Sequence, residues 1–149
     1  MTPMMTPIPA AGQTLAAPAA IPRPAAPMPR SALSLLAQAS ATLADAERQP
    51  AAADRYAGAY LAALRAAAAV VAARGRPDGR RRRPLSVWAL LTSLAPELRE
   101  WAAFFAACSH TRAAVQAGVT RLVTDRDADD LVRQAAQFVE LAEREVRRR

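Results

Sequence analysis

Residues 54–74 read DRYAGAYLAALRAAAAVVAAR, and this stretch decides the fold. Alanine has the highest helix propensity and no proline interrupts the run, so the sequence predicts one long helix. Apolar residues cover so much of its circumference that we place the helix at the centre of a bundle. Its small side chains allow another helix to approach the backbone closely. Gly75 follows the run and ends the helix, as glycine commonly does at C-termini.

Further helices are predicted on both sides of this stretch. Before it, a helix runs from Ser31, a good N-cap, to about Arg48, and Pro50 ends it. After it, Ser86 caps a third helix, and Pro96 stands well as the first residue of a fourth. The inner face of this fourth helix, with Trp101 and Phe105 and with Phe104 close by, is expected to carry the densest aromatic packing in the chain.

The last helix has the clearest local signals. Thr124 caps it, and Asp127 occupies the third position of a capping box. A shorter helical piece is expected before it, at 111–117. On the outer face of the last helix, acid-before-base pairs are expected, namely Asp129 with Arg133, Glu140 with Arg144, and Glu143 with Arg147. The sequence therefore predicts an all-α bundle of four to five helices.

The first thirty residues differ in composition from the rest of the chain. Residues 1–30 hold eight of the twelve prolines, so neither helix nor strand can propagate and little apolar surface is available for burial. We predict a disordered Pro/Ala-rich tail over 1–30 and a single helical domain over 31–149.

The net charge of +7 is carried by twenty arginines, and the chain contains no lysine. The planar guanidinium suits phosphate, which makes RNA a conceivable partner. A complete absence of lysine is also typical of a genome-wide codon bias towards arginine, so the total charge is weak evidence for a nucleic-acid partner.

Residue counts exclude several other functions. Only five glycines occur, and no pair has the spacing of a phosphate-binding loop, which argues against nucleoside triphosphate hydrolysis. One His and one Cys do not make a zinc site within one chain, and no metal or cofactor is expected. The single Cys excludes an internal disulfide and fits a cytoplasmic location. The N-terminus lacks the pattern of a secretory signal, and no run is expected to reach the length of a membrane-spanning helix.

Two groups of residues are candidates for binding nucleic acid. The segment GRPDGRRRRP at 75–84 has no apolar residue to bury, and exposed arginines contact phosphates without sequence preference. The alternative is a solvated loop. His110 and Arg112 form the second candidate for phosphate, or they are solvated residues at a helix junction. The loop arginines are Arg76, Arg80, Arg81, Arg82 and Arg83.

Three segments together carry a family resemblance, namely RYAGAYLAALRAAAAVVAARGRP, the Arg-rich loop and SVWALLTSLAPELREWAAFFAA. On these segments the chain resembles a small family of stand-alone actinobacterial HEPN-domain proteins, and the resemblance covers about Leu35 to Leu141. It implies a HEPN-like bundle of four to five helices in a superfamily whose members often dimerise. Many members are RNases or RNase toxins, and others partner nucleotidyltransferases or have lost activity.

Active members of that superfamily share a motif in which Arg is followed, after four to six residues, by His. The pair acts across a dimer on the RNA ribose and phosphate. The nearest match here is Arg55, four residues and then Tyr60, and the positions that precede His110 by the same spacing hold no Arg. Tyrosine, with an ordinary pKa of about 10, is a poor proton acceptor at neutral pH. The ribonuclease motif is therefore not intact.

We predict a non-catalytic HEPN-type domain that binds RNA or a protein partner through the basic loop and the Arg55 end of the long helix. One alternative is a weak metal-independent endoribonuclease that uses Arg55 and Tyr60, with His110 from the same or a partner chain. Another is a structural adaptor whose Ala-rich helices bind a helical protein. The resemblance also implies a homodimer, and no membrane contact is expected.

Overall fold

The computed structural model describes residues 29–75 and 85–148, which form five α-helices and one short 3-10 turn with no strand among them. The all-α prediction is confirmed. The predicted tail, apart from its last two residues, and the arginines of segment 76–83 lie outside the described residues. The elements are α1 (Arg30–Glu47), α2 (Ala52–Arg74), α3 (Val87–Leu94), the 3-10 turn (Pro96–Leu98), α4 (Arg99–Gln116) and α5 (Asp125–Arg147).

Side-chain caps set the starts of α3 and α5 as predicted. The Ser86 hydroxyl accepts a hydrogen bond from the backbone N–H of Ala89 at 3.1 Å. Thr124 and Asp127 form the complete capping box, with both reciprocal hydrogen bonds at 3.0 Å. These caps satisfy N–H groups that have no partner within the helix. The backbone hydrogen bond from Thr124 lowers the pKa of Asp127, and a bond with its side chain adds to the effect.

Other predicted boundaries were wrong by a turn or less. Ser31 is not the N-cap of α1, because the helix already begins at Arg30 and Pro29 occupies the N-cap position. Pro96 does not begin an α-helix but a 3-10 turn, and α4 starts only at Arg99. The separate piece expected at 111–117 is the continuous end of α4, because no glycine or proline interrupts that helix.

The Ala-rich helix α2 is the centre of the bundle, as predicted, and it contacts each of the other four helices. Seven of its ten buried residues are alanines. The backbones of α1 and α2 come closest at Gly58, where a Cβ would lie 2.7 Å from the Cβ of Ala46. Further along, Arg65 Nη1 donates to Thr42 Oγ1 at 2.5 Å. From the first contact to the second, the residue number rises along α2 and falls along α1, so the two helices are antiparallel.

The helices α2 and α5 run parallel. Their first turns are joined by an ion pair between Arg55 and Asp125 at 2.8 Å, and their last turns by one between Arg74 and Glu145 at 2.9 Å. We call the end of the molecule at Arg74 and Glu145 the carboxyl end of the bundle. Gly75, where α2 ends, and the last turn of α5 both belong to this end.

Aromatic rings fill the space between α2, α3, α4 and α5. Phe105 and Phe138 are completely buried, and Trp88 stacks on Phe105 with ring centroids 5.4 Å apart. Phe104 was expected near this inner face, yet 42% of its surface is exposed. Adjacent residues on a helix point in different directions, so only one of the two phenylalanines can face the core.

One helix in the described residues, α2, is long and apolar enough to cross a membrane by length and composition. The expectation that no run reaches that length was therefore wrong. However, 56% of its most apolar window is buried inside the bundle, which is the environment of a core helix in a globular domain.

Candidate functional site

Arg55, the arginine of the incomplete motif, is a cross-link between three parts of the chain. Its Nη1 donates to the carbonyl oxygens of Gln49 and Pro50, at 3.1 and 2.8 Å, in the turn between α1 and α2. Its Nη2 and Nε donate to Asp125 and Asp129 of α5, at 2.8 and 3.2 Å. The side chain is only 12% exposed. Each guanidinium nitrogen is thus engaged within the fold.

These contacts alter the ion pairs expected on α5. Asp129 binds Arg55 rather than Arg133, and Arg133 instead pairs with Asp130 one turn earlier. The hydrogen bond from Arg55 to Asp125 is the main reason why the pKa of the Arg55 guanidinium is raised. Neither remaining predicted pair is found among the ion pairs of the described residues, namely Glu140 with Arg144 and Glu143 with Arg147.

Tyr60, the second residue of the incomplete motif, is part of the aromatic core. It is 4% exposed, and its hydroxyl accepts a hydrogen bond from Trp88 Nε1 at 2.9 Å. The two rings meet edge to face with centroids 6.0 Å apart. Packing therefore explains why a tyrosine stands at this position, because the buried indole N–H of Trp88 needs a hydrogen-bond acceptor.

The structure does not bring Arg55 and Tyr60 to one site. Residues five positions apart on an α-helix are rotated by roughly 140° about its axis, so the two side chains leave α2 in different directions. Arg55 contacts the start of α5, whereas Tyr60 contacts α3. The arrangement supplies neither a free guanidinium for a phosphate nor an exposed hydroxyl for proton transfer.

The candidate pair on α4 is also divided between two environments. His110 is exposed, while Arg112 is half-buried with its guanidinium carbon 5.3 Å from the centroid of the Tyr60 ring. This is cation–π geometry. The Arg112 Nε is buried and has no hydrogen-bond partner in the described parts of the chain. Arg112 thus has a packing role, and the two side chains do not form a joint phosphate site.

A second cross-linking arginine, Arg74, was not singled out by the sequence analysis. Its Nη2 donates to Glu97 at 2.6 Å and to Glu145 at 2.9 Å, and its Nη1 donates to the Leu94 carbonyl at 3.2 Å. The hydrogen bond from Arg74 is the main reason why the pKa of Glu97 is lowered. A basic residue in the last turn of α2 is favoured by the helix dipole, but no local sequence pattern indicates partners so distant along the chain.

A surface groove of about 480 Å³ lies between α2, α4 and α5. Phe104 and Leu122, which are 42% and 57% exposed, contribute its apolar wall, and Asp130 contributes to its polar rim. Tyr56 and Cys108 also line it. Burial, with a smaller contribution from a hydrogen bond to Cys108, raises the pKa of Tyr56 to about 12. Burial likewise raises the pKa of the Cys108 thiol, so the thiol is not activated as a nucleophile.

The described residues contain no group of three or more His, Cys, Asp or Glu side chains arranged to hold a metal ion. The acidic residues at the start of α5 are instead used by the fold. Asp127 completes the capping box, while Asp125 and Asp129 bind Arg55.

Comparison with known proteins assigns the bundle to a family. Residues 44–143 match the family described as SAV_6107-like HEPN, which covers the last turn of α1, all of α2 to α4 and most of α5. The resemblance to HEPN-domain proteins is confirmed over this range. No curated protein and no solved structure matched the chain.

Proposed function

Because the chain belongs to the SAV_6107-like HEPN family, we propose that it is a HEPN-type helical domain that binds RNA without cleaving it. The arginines of segment 76–83 are the proposed contacts to the RNA phosphates. Contacts of this kind hold RNA through its backbone and carry no base-specific information.

The distribution of charge along the chain carries this proposal. Residues 29–75 and 85–148 contain 13 arginines and 12 acidic residues, so the described bundle is nearly neutral. Segment 76–83 alone contains five arginines and one aspartate. A codon bias raises arginine throughout a chain but does not by itself concentrate the positive excess in one segment. A local excess of this size attracts phosphate by long-range electrostatics.

The RNA contact is tested by a variant in which Arg80, Arg81, Arg82 and Arg83 are all replaced by Ser. We expect the Kd for a labelled single-stranded RNA at 0.05 M salt to rise on the order of a hundredfold. Fluorescence anisotropy measures it. The control is Arg121→Gln with Arg126→Gln, which removes two exposed arginines near the end of the bundle opposite Gly75, and its Kd should remain within about twofold of the wild type. No binding by the wild type, or equal weakening in both variants, contradicts the proposal.

The absence of cleavage is proposed from the two motif residues. The nitrogens of Arg55 are engaged by carbonyl and carboxylate oxygens, and the Tyr60 hydroxyl is buried against Trp88. We expect labelled RNA to remain intact with the wild type and also with Tyr60→His, because the new imidazole would be enclosed in the core. Cleavage by the wild type that Arg55→Gln abolishes would support the alternative, a metal-independent endoribonuclease.

The exposed groove favours a second proposal, that the domain also binds a protein partner through Phe104 and Leu122. The partner that we propose is a second copy of the chain, consistent with the homodimer expected for a HEPN protein. Large exposed apolar side chains often mark such contacts. Light scattering at micromolar concentration should give a dimer for the wild type and a monomer for the combined Phe104→Ser and Leu122→Ser variant. A monomeric wild type contradicts it and leaves the RNA proposal intact.

A cytoplasmic location is part of the same proposal. It is supported by the lone Cys108 and by the burial of α2, the one described helix with the composition of a membrane span. Recovery of the native protein in the membrane fraction, resistant to a high-salt wash, would contradict this location.

A further inference from the structure

We propose that two copies of the chain pack on each other through the outer face of α4, with the two α4 helices antiparallel across a two-fold axis. This inference rests on the proposed dimer and deepens it, because it names the centre of the contact and the relative direction of the copies. The outer face of α4 is defined by Glu100, Ala103, Ala107 and His110.

The residues that point away from the bundle on α4 include a line of small apolar side chains. The inner side of α4 packs on α2 and α3. The four residues of the outer face are all exposed. Their spacing of three, four and three residues places them along one side of the helix, with Ala103 and Ala107 in the middle. The bundle therefore leaves these alanines facing solvent.

The outer face of α5 provides a comparison within the same molecule. The exposed residues at the same helical spacing on α5 are all charged or polar, as is usual for a helix that faces water. They are Arg126, Asp129, Arg133, Gln137, Glu140 and Arg144. On α4 the middle of the line is apolar, and Phe104, which is 42% exposed, lies beside it. An exposed apolar surface with charged residues at its edge is typical of a contact between proteins.

The outer face of α4 is complementary to itself, and this property identifies a second copy as its occupant. If a two-fold axis crosses α4 near Phe105, Ala103 of one protomer lies opposite the partner's Ala107. Glu100 then lies opposite the partner's His110, so that an acid faces a base. Each contact occurs twice, as a two-fold interface requires. The small side chains at the centre allow the two helices to approach closely.

The same symmetry places the exposed Phe104 side chains together. Phe104 is one residue from the proposed axis, so the two rings are offset by only about 3 Å along the helix direction and lie on the same side of the contact. Leu122 lines the same groove as Phe104 and extends the apolar surface on that side. A parallel arrangement would instead bring the two Glu100 carboxylates together, where like charges repel.

The first test introduces a long charged side chain at the centre of the contact. Ala107→Arg should raise the dimer Kd on the order of a hundredfold, because it buries an unpaired guanidinium in each half of the interface. The matched control, Ala41→Arg, changes another exposed alanine in the interior of a helix and should leave the dimer Kd unchanged. Arginine is nearly as good a helix former as alanine, so both variants should fold. Light scattering over a concentration series measures the Kd, and circular dichroism checks the helix content.

A charge exchange tests the antiparallel direction. Glu100→Arg should weaken the dimer several-fold, and addition of His110→Glu to the same chain should recover most of the loss, because opposite charges again face each other. The two positions lie about 15 Å apart along one helix, so the recovery can arise only between copies. Addition of Gln137→Glu instead changes the net charge equally and should give no recovery. Recovery with Gln137→Glu, or none with His110→Glu, overturns the antiparallel packing.

The outcomes separate this inference from the proposed function. A dimer that Phe104→Ser with Leu122→Ser dissociates but Ala107→Arg does not overturns the α4 packing and leaves the dimer proposal standing. Equal weakening by Ala41→Arg also overturns it, since added charge alone would then explain the loss. A monomeric wild type overturns both the dimer and its packing, and it leaves the RNA proposal intact.

Discussion

The hydroxyl of Tyr60 and the indole N–H of Trp88 meet inside the core, and each is the other's described side-chain partner. From sequence alone, Tyr60 was notable only for standing where a catalytic His is expected. Its partner lies 28 residues away on another helix. No spacing rule identifies a contact of that kind, so the sequence alone could not distinguish a catalytic role for Tyr60 from a packing role.

Replacement of Tyr60 by Phe should therefore affect stability. The substitution leaves the buried Trp88 N–H without its acceptor, and we expect a loss of about 1–3 kcal/mol in the free energy of unfolding. Urea denaturation measures it. The double variant with Trp88→Phe serves as the control, since removing both polar groups should cost less than the two single changes together. A Tyr60→Phe protein as stable as the wild type would show that the hydrogen bond is not formed.

Tyr56 predicts an alkaline loss of stability. Its folded-state pKa is raised to about 12, above the ordinary value of 10.0, so the folded protein retains a proton that the unfolded chain releases. The unfolded state binds fewer protons in this window, and the free energy of unfolding falls as pH rises from about 10 to 12. The stabilisation is fully present below pH 10. Tyr56→Phe should flatten this decline in urea titrations, and an unchanged slope would contradict the assignment.

At the scale of elements, the close approach of α1 and α2 depends on the absence of a side chain at Gly58. The Ala-rich composition predicted such an approach but did not identify the contact point. Gly58 faces the Cβ of Ala46, which is the whole side chain of that residue and has no flexible end that can move aside. The two helices would have to separate to admit another methyl group.

Gly58→Ala should accordingly destabilise the protein although alanine is the better helix former. Overpacking costs about 1–3 kcal/mol, against a propensity gain of about 1 kcal/mol, so we expect a net loss measured by thermal or urea unfolding. The combination of Gly58→Ala with Ala46→Gly moves the methyl group to the other helix and should recover part of the loss. A single variant more stable than the wild type would show that propensity outweighs the contact.

At the scale of the whole molecule, Arg55 and Arg74 fasten α2 to the two ends of α5. Because the ion pairs of Arg55 and those of Arg74 lie at opposite ends of α5, removing either arginine should destabilise only its own end of the helix. In native-state hydrogen exchange, Arg55→Gln should accelerate exchange in the first turns of α5, and Arg74→Gln in its last turns. Uniform acceleration of exchange along α5 in both variants would argue against two separate sets of contacts.

Most of the architecture was accessible from sequence, whereas the roles of individual polar residues were not. The propensity of α2 and the caps at Ser86 and Thr124 are local properties, and they predicted the elements correctly. The start of α1 and the 3-10 turn at Pro96 depend on backbone geometry that residue preference leaves open. The environments of Arg55, Tyr60 and Arg112 depend on long-range packing, so the candidate site could be tested only in three dimensions.

The central claim is that the nearly neutral helical bundle binds RNA through the concentrated charge of segment 76–83. The most direct measurement is the slope of log K against log salt for single-stranded RNA, compared between the wild type and the variant with Ser at positions 80 to 83. Each lost phosphate contact reduces the slope by about 0.7, so we predict a reduction of about 2 to 3 with the RNA intact throughout. Equal slopes for the two proteins would contradict the account.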